Sequence, residues 1–182
     1  MVMGTRAGYD DAMIILQRYI DLCLFKKGPA DIPASDNLLR LTLLVYFILG
    51  VAISRIDSDW NVSFFTSLTD MIFMIIVVNI LLKFRNFQSR YKQTLTALAG
   101  AGACLGLIGL PIMMWFNQVP ETEQATSYAM LLMVVIMFWS LMVTAHIFRH
   151  ALEIKPGSAA VLTVIYTILS LLTLGLTMSG VA

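Results

Sequence analysis

Long apolar runs alternate with short polar segments along most of this chain. Five of the runs each approach the roughly 20 residues that a helix needs to cross the hydrocarbon of a bilayer. The runs are broken at charged residues, prolines and glycines. The pattern therefore predicts an all-α fold, a polytopic membrane bundle of five transmembrane helices, with spans at about 38–56, 60–82, 94–116, 128–148 and 159–178.

The start of the chain has a different pattern, because apolar and charged residues alternate from Tyr9 to Phe25 at roughly helical spacing. Such a pattern predicts an amphipathic helix that is too polar to span a membrane. Gly28 and Pro29 are residues that end helices, so the helix is expected to stop there. The helix either lies on the inner membrane face or packs on the bundle, and a docking surface for a partner is the alternative interpretation.

The boundary between this start and the bundle lies at a polar turn that holds two prolines. Ser35 or Asp36 is placed to cap the helix that follows. We accordingly divide the chain into a cytoplasmic amphipathic segment at 1–36 and a five-helix transmembrane domain at 37–182.

Composition agrees with a membrane protein. Among the 182 residues, 59% are hydrophobic and only 13% are charged, and the mean hydropathy is +0.83. Soluble domains are far more polar. The first expected partner is therefore the lipid bilayer, and a formal net charge of +1 gives no support for nucleic-acid binding.

The distribution of Lys and Arg predicts the orientation. Lys83 to Lys92 holds four cationic side chains between two apolar runs, and such loops favour the cytoplasmic side. With the N-terminus inside, only Arg55 of the twelve Lys and Arg falls outside. We therefore predict a cytoplasmic N-terminus and an external C-terminus in a plasma membrane. The basic residues expected to contact anionic lipid or a partner are Lys26, Lys27, Lys83, Arg85, Arg90 and Lys92.

Asp70 is the one acidic residue well inside a predicted span. A carboxylate at that depth is costly and is a candidate functional group. The structural interpretation is an acid bonded to Thr66, Thr69 or a neighbouring helix, and the functional one is a proton or cation site. Asn79 and His146 share a shallower depth and are placed to meet across a helix pair, so the candidate intramembrane polar site is Asp70, Asn79 and His146.

Small residues are concentrated in the third predicted span, where Gly102 and Gly106 occupy one helix face. Small residues allow close helix packing, so we expect this face to pack within the bundle, with a homodimer seam as the second interpretation. The two cysteines, Cys23 and Cys104, lie in the N-terminal segment and in this span, and we expect them to be packing residues that cannot easily meet as a disulfide.

Motifs for catalysis, phosphate binding or metal binding do not occur in the sequence. The methionines in the spans lack nearby His or Cys at ligand spacing, so they indicate packing rather than a copper path. We expect no enzymatic activity, no cofactor and no metal.

The last third of the chain carries an aromatic-rich fourth apolar run that leads to a basic residue and Ala151-Leu152, in the segments Phe138 to Val143, His146 to Leu152 and Ser158 to Val161. Together with the five-span layout, this pattern resembles the Yip1 family, and its bacterial members in particular. The proline and glycine motifs of the eukaryotic members' second and third spans have no clear counterparts here. The resemblance implies a non-enzymatic protein of a bacterial inner membrane that organises or binds other membrane components, such as another membrane protein or a second copy of itself. The alternative function is a small transporter or ion pathway that uses Asp70.

Overall fold

The computed structural model describes residues 3–118 and 124–181, with side chains described for 13–118 and 128–180. The described residues form helices and contain no strand. The helices are α1 Met3–Cys23, α2 Asp36–Ser54, α3 Trp60–Phe84, α4 Tyr91–Gln118, α5 Gln124–Leu152 and α6 Pro156–Val181, with short 3-10 turns at Pro29–Asp31 and Gln88–Arg90. The predicted all-α helical bundle is confirmed.

Helices α2 to α6 are each long and apolar enough to cross a membrane. They coincide with the five predicted spans, and most run a few residues further at their ends, because charged residues such as Lys83 can remain helical outside hydrocarbon. Between the third and fourth spans, α4 continues to Gln118 and α5 begins at Gln124, and residues 119–123 of the predicted loop lie outside the described part of the chain. Five helices of this kind make the chain a multi-pass integral membrane protein.

Helix α1 ends slightly earlier than the sequence pattern suggested. Its last residue is Cys23, and Phe25 adopts a left-handed backbone conformation with φ of 61°. A residue with that φ cannot continue a right-handed helix. The chain therefore turns before it reaches Gly28 and Pro29. Two residues were predicted as caps of α2, and the structure shows that Ser35 is the cap, because its side chain accepts a hydrogen bond from the Leu38 N–H.

The five spanning helices close a ring in the order α2, α4, α5, α6, α3 and back to α2. Two glycines of α4 allow α2 to approach closely: a Cβ atom on Gly102 would lie 2.6 Å from the Tyr46 ring, and one on Gly106 would lie 3.3 Å from Ile53 Cδ1. The small-residue face of α4 thus packs inside the bundle, against α2.

Helix α1 packs on the outside of the ring against α4. The Tyr19 hydroxyl hydrogen-bonds the Thr42 hydroxyl of α2 at 2.8 Å, and Trp139 of α5 donates its indole N–H to the Cys23 carbonyl at 2.9 Å. The amphipathic segment is therefore held to three helices of the bundle. Its other face, which includes Met13 and Leu16, is exposed.

The two ends of the bundle differ strongly in charge. One end, which we call the basic end, carries the α1–α2 connection, the α3–α4 connection and the α5–α6 connection. Among the residues with described side chains, Arg55 alone of the Lys and Arg lies at the opposite end, where the α2–α3 connection lies.

Candidate functional site

Asp70 lies in the middle of α3 and is held by two neighbouring helices. The Tyr46 hydroxyl of α2 donates to Asp70 Oδ2, and the Ser170 hydroxyl of α6 donates to Asp70 Oδ1 at 3.0 Å. The predicted bonding to neighbouring helices is therefore present. The two threonines named from the sequence bond elsewhere, because Thr66 donates to the Val62 carbonyl one turn back at 2.8 Å and Thr69 accepts from Thr177 at 3.3 Å.

The position of Tyr46 depends on the glycines of α4. The Tyr46 ring occupies the space that a side chain at Gly102 would fill. A larger residue there would push the ring, and with it the hydroxyl, away from Asp70. The small-residue face of α4 and the intramembrane acid are thus parts of one arrangement.

A cavity of about 580 Å³ extends from Asp70 through the half of the bundle away from the basic end. Tyr46, Asp70 and Ser140 lie at its inner end, and its apolar walls reach Met113 and Met178. A second cavity of about 250 Å³ continues past Asp70 toward Ile147. Asp70 lines both cavities, so a ligand in either one lies within reach of its carboxyl group.

Asn79 and His146 do not form a site with each other. Asn79 is exposed on α3 and makes no side-chain hydrogen bond within the described part of the chain. His146 Nε2 hydrogen-bonds the Lys27 carbonyl at 3.0 Å, and its ring stacks at a tilt on His150, with 4.4 Å between the ring centres. The two residues make no hydrogen bond with each other in the described part of the chain, because the segment after α1 folds over α5 and its Lys27 carbonyl binds the histidine instead.

This fold-over creates a cavity of about 590 Å³ at the basic end, which we call the basic cavity. Its wall consists of the segment that follows α1 and the end of α5. The charged and imidazole side chains that line it are Lys26, Lys27, Asp31, Arg90, His146, Arg149, His150 and Glu153.

Two cations and one acid of the basic cavity, Lys26, Arg149 and Asp31, take part in no ion pair among the described side chains. Arg90 pairs with Glu153 at 2.6 Å, and Lys27 pairs with Asp21 at 3.4 Å. Lys26 and Arg149 have no acidic partner among the residues whose side chains are described. Since cations concentrated in a concave site attract anions, the basic cavity can hold a negatively charged group.

The other predicted basic residues lie outside this cavity. Arg85 donates to the Leu152 carbonyl at 3.3 Å and so ties α3 to α5. Lys92 pairs with Asp36 at 2.8 Å, which joins the starts of α2 and α4. Lys83 is exposed at the end of α3. The predicted basic surface is therefore divided between a cavity and helix connections.

The two cysteines lie closer together than the sequence suggested. Both are free thiols in this structure. A hydrogen-bonding interaction with the Cys104 thiol, followed by burial, raises the pKa of the Cys23 thiol. The docking of α1 on α4 buries both residues of this face. Burial also raises the pKa of Tyr19, which lies one turn before Cys23.

Sequence reasoning did not identify Tyr46, Ser170, Arg149 or His150 as members of these sites. Tyr46 and Ser170 are polar residues within spans, and that signal was available. Their pairing with Asp70 was not, because it depends on which helices are neighbours in the ring.

Comparisons of this chain with protein-family models, with curated proteins and with solved structures find no match. The resemblance to the Yip1 family stays a prediction.

Proposed function

We propose that this protein is a non-enzymatic membrane protein of the Yip1-like type, which organises or assembles other membrane components by binding their anionic groups at its basic end. The observation that carries the proposal is the basic cavity, in which Lys26 and Arg149 face a space large enough for a phosphate headgroup. Arg and Lys are the usual partners of phosphate groups. The ligand is accordingly an anionic phospholipid, either free in the bilayer or bound to another membrane protein.

The charge distribution supports this proposal and the orientation that goes with it. A basic end on the cytoplasmic side of a bacterial inner membrane would lie at the cytoplasmic leaflet, whose negative surface potential attracts cationic residues. Each Lys or Arg near such a surface contributes about 1 kcal/mol of attraction. Lys26 and Arg149 would therefore contribute roughly 2 kcal/mol together before any direct hydrogen bond forms, and the unpaired carboxylate of Asp31 in the same cavity would offset part of this.

The test is lipid binding by the purified full chain in a mild non-ionic detergent. We expect native mass spectrometry to retain phosphatidylglycerol on the protein in preference to phosphatidylcholine. The double variant K26Q/R149Q should lose this preference. The matched control is K155Q, which removes a cation at the same end but outside the basic cavity. Equal retention of both lipids by the wild-type protein, or equal loss in K155Q, would refute the proposal.

A second candidate function is a small transporter or ion pathway through Asp70, and it is favoured by the two cavities that this residue lines. Beyond the smaller cavity, however, the core toward the basic end is packed with residues such as Leu82, Leu95 and Phe148, each about 1% exposed. Transport would require this packing to open. Proton-coupled flux in liposomes that is lost in D70N would support transport, and its absence would leave the binding role in first place.

A further inference from the structure

The cavity that ends at Asp70 combines one acidic group with long apolar walls. Asp70, Tyr46 and Ser140 supply the polar inner end. Ser54, Thr66 and Ser67 add hydroxyl-bearing residues along one wall, and aliphatic and methionine side chains form most of the rest, among them Leu49, Ile53, Met113, Met137 and Leu174. Its volume of about 580 Å³ lies within the range of roughly 300–1,000 Å³ that small-molecule sites occupy. A ligand that fills it must therefore be largely apolar, with one polar end.

The hydrogen bonds at Asp70 indicate the charge of that polar end. Both carboxyl oxygens accept from hydroxyl donors, one from Tyr46 and one from Ser170. Yet no Lys, Arg or His forms an ion pair with Asp70 in the described part of the chain. A carboxyl group at this depth is costly without a cation beside it.

The shape of the cavity selects the kind of cation. A metal ion would need several oxygen, nitrogen or sulfur ligands, and no group of three or more His, Cys, Asp or Glu side chains suited to a metal occurs among the described residues. A simple inorganic cation would also leave the apolar walls without a partner. An organic cation with an apolar tail satisfies both parts of the cavity.

We propose that this cavity is a binding site for a lipophilic amine, whose ammonium group pairs with Asp70 and whose apolar tail lies along the walls toward Met113. The ammonium donates to the carboxylate oxygens while Tyr46 and Ser170 hold the carboxylate in place. The core beyond the smaller cavity is closed toward the basic end, so the site is blind and serves binding. This site is separate from the basic cavity, and neither proposal depends on the other.

The probe for the test is ethidium, a lipophilic cation whose fluorescence rises in an apolar site, added to the full chain in nanodiscs of zwitterionic lipid. Unlabelled octylammonium is the competitor, and octanol, of equal chain length and no charge, is its neutral counterpart. We expect octylammonium to displace ethidium and octanol to fail. Ammonium chloride, which has the charge without the tail, should also fail.

Three variants locate the site. D70N removes the charge and keeps the shape. We expect the affinity for octylammonium, measured by displacement of ethidium, to fall about tenfold or more, as the loss of a charge-assisted hydrogen bond implies. M113W fills the apolar end of the cavity without touching the acid, and we expect a similar loss. D59N is the matched control. Asp59 is an exposed acid just before α3, at the end of the bundle toward which the cavity extends, and it does not line the cavity.

The outcomes are decisive whether or not D70N folds well, because M113W tests the same site without altering Asp70. Wild-type affinity in either variant would overturn the proposal. So would displacement by octanol, which would show an apolar site only, or displacement by ammonium chloride, which would show a simple cation site. A loss in D59N equal to that in D70N would show that surface charge alone attracts the probe.

Discussion

Replacement of Gly100 by alanine should release α1 from the bundle. A Cβ atom on Gly100 would lie 2.2 Å from Tyr19 Cε1 and 2.5 Å from Cδ1. Non-bonded carbon atoms are ordinarily separated by about 3.5–4.0 Å. The ring cannot easily move aside, because Tyr19 is 8% exposed and its hydroxyl is bonded to Thr42.

The size of the effect follows from two opposing contributions. Alanine in place of glycine favours a helix by about 1 kcal/mol, whereas inserting an atom into a packed site costs about 1–3 kcal/mol. Gly109 on the same helix has nothing within 4 Å of its hypothetical Cβ, so G109A carries the first contribution without the second. The difference between the two variants therefore isolates the clash with Tyr19, at about 1–3 kcal/mol.

Thiol labelling of Cys23 measures this difference directly. Cys23 is the last residue of α1 and is buried when α1 is docked, so a maleimide reaches it only when α1 opens. In a background that carries C104A, G100A should label about 5- to 150-fold faster than G109A, which is 1–3 kcal/mol expressed as a ratio of open populations. Adding Y19L to G100A should remove most of this acceleration, since the two positions are in contact and their effects are not additive.

Equal labelling of G100A and G109A would refute the reasoning, because it would mean that Tyr19 does not occupy the space above Gly100. Acceleration that persists unchanged in G100A/Y19L would show that alanine acts through some contact other than the tyrosine ring.

Three further predictions concern single features. In detergent, D70N should unfold at nearly the wild-type temperature, whereas D70L should lose about 1–2 kcal/mol because the Tyr46 and Ser170 hydroxyls lose their acceptor; equal stability of the two variants would contradict this. Thr163 is buried, and its hydroxyl has no hydrogen-bond partner in the described part of the chain, so T163V should leave the melting temperature unchanged or raise it, and a clear fall would show that the hydroxyl is bonded. Alkaline-phosphatase fusions should be inactive after Lys92 and active after Ala182 if the N-terminus is cytoplasmic, and the reverse activities would invert the orientation.

The spans were predictable from the sequence because a transmembrane helix is defined by a local property, namely about 20 consecutive apolar residues. The end of α1 was less predictable. It depends on the left-handed backbone of Phe25, which nothing in the residue type requires, since glycine and not phenylalanine favours that conformation.

The sites were only partly predictable, because they depend on which helices are neighbours. Asp70 could be singled out by its depth alone, but its partner Ser170 lies 100 residues away in the chain. Likewise, Lys26 could be assigned to a basic surface, but not to a cavity shared with Arg149. The order of the helices in the ring and the course of a connecting segment cannot be predicted from the periodicity or hydropathy of the sequence.

The ring order also has a consequence for how the protein is made. The partners of Asp70 are synthesised on either side of it: Tyr46 precedes it by 24 residues, and Ser170 follows it by 100. At about 5–20 residues per second, Ser170 emerges roughly 5–20 seconds after Asp70. During that interval α3 is in the membrane with its acid open on the side that α6 will cover. Helix α6, which is made after the other four spanning helices, is thus the one that completes the shielding of the acid, and a chain that stops after α5 keeps a carboxyl group with only one of its two hydrogen bonds.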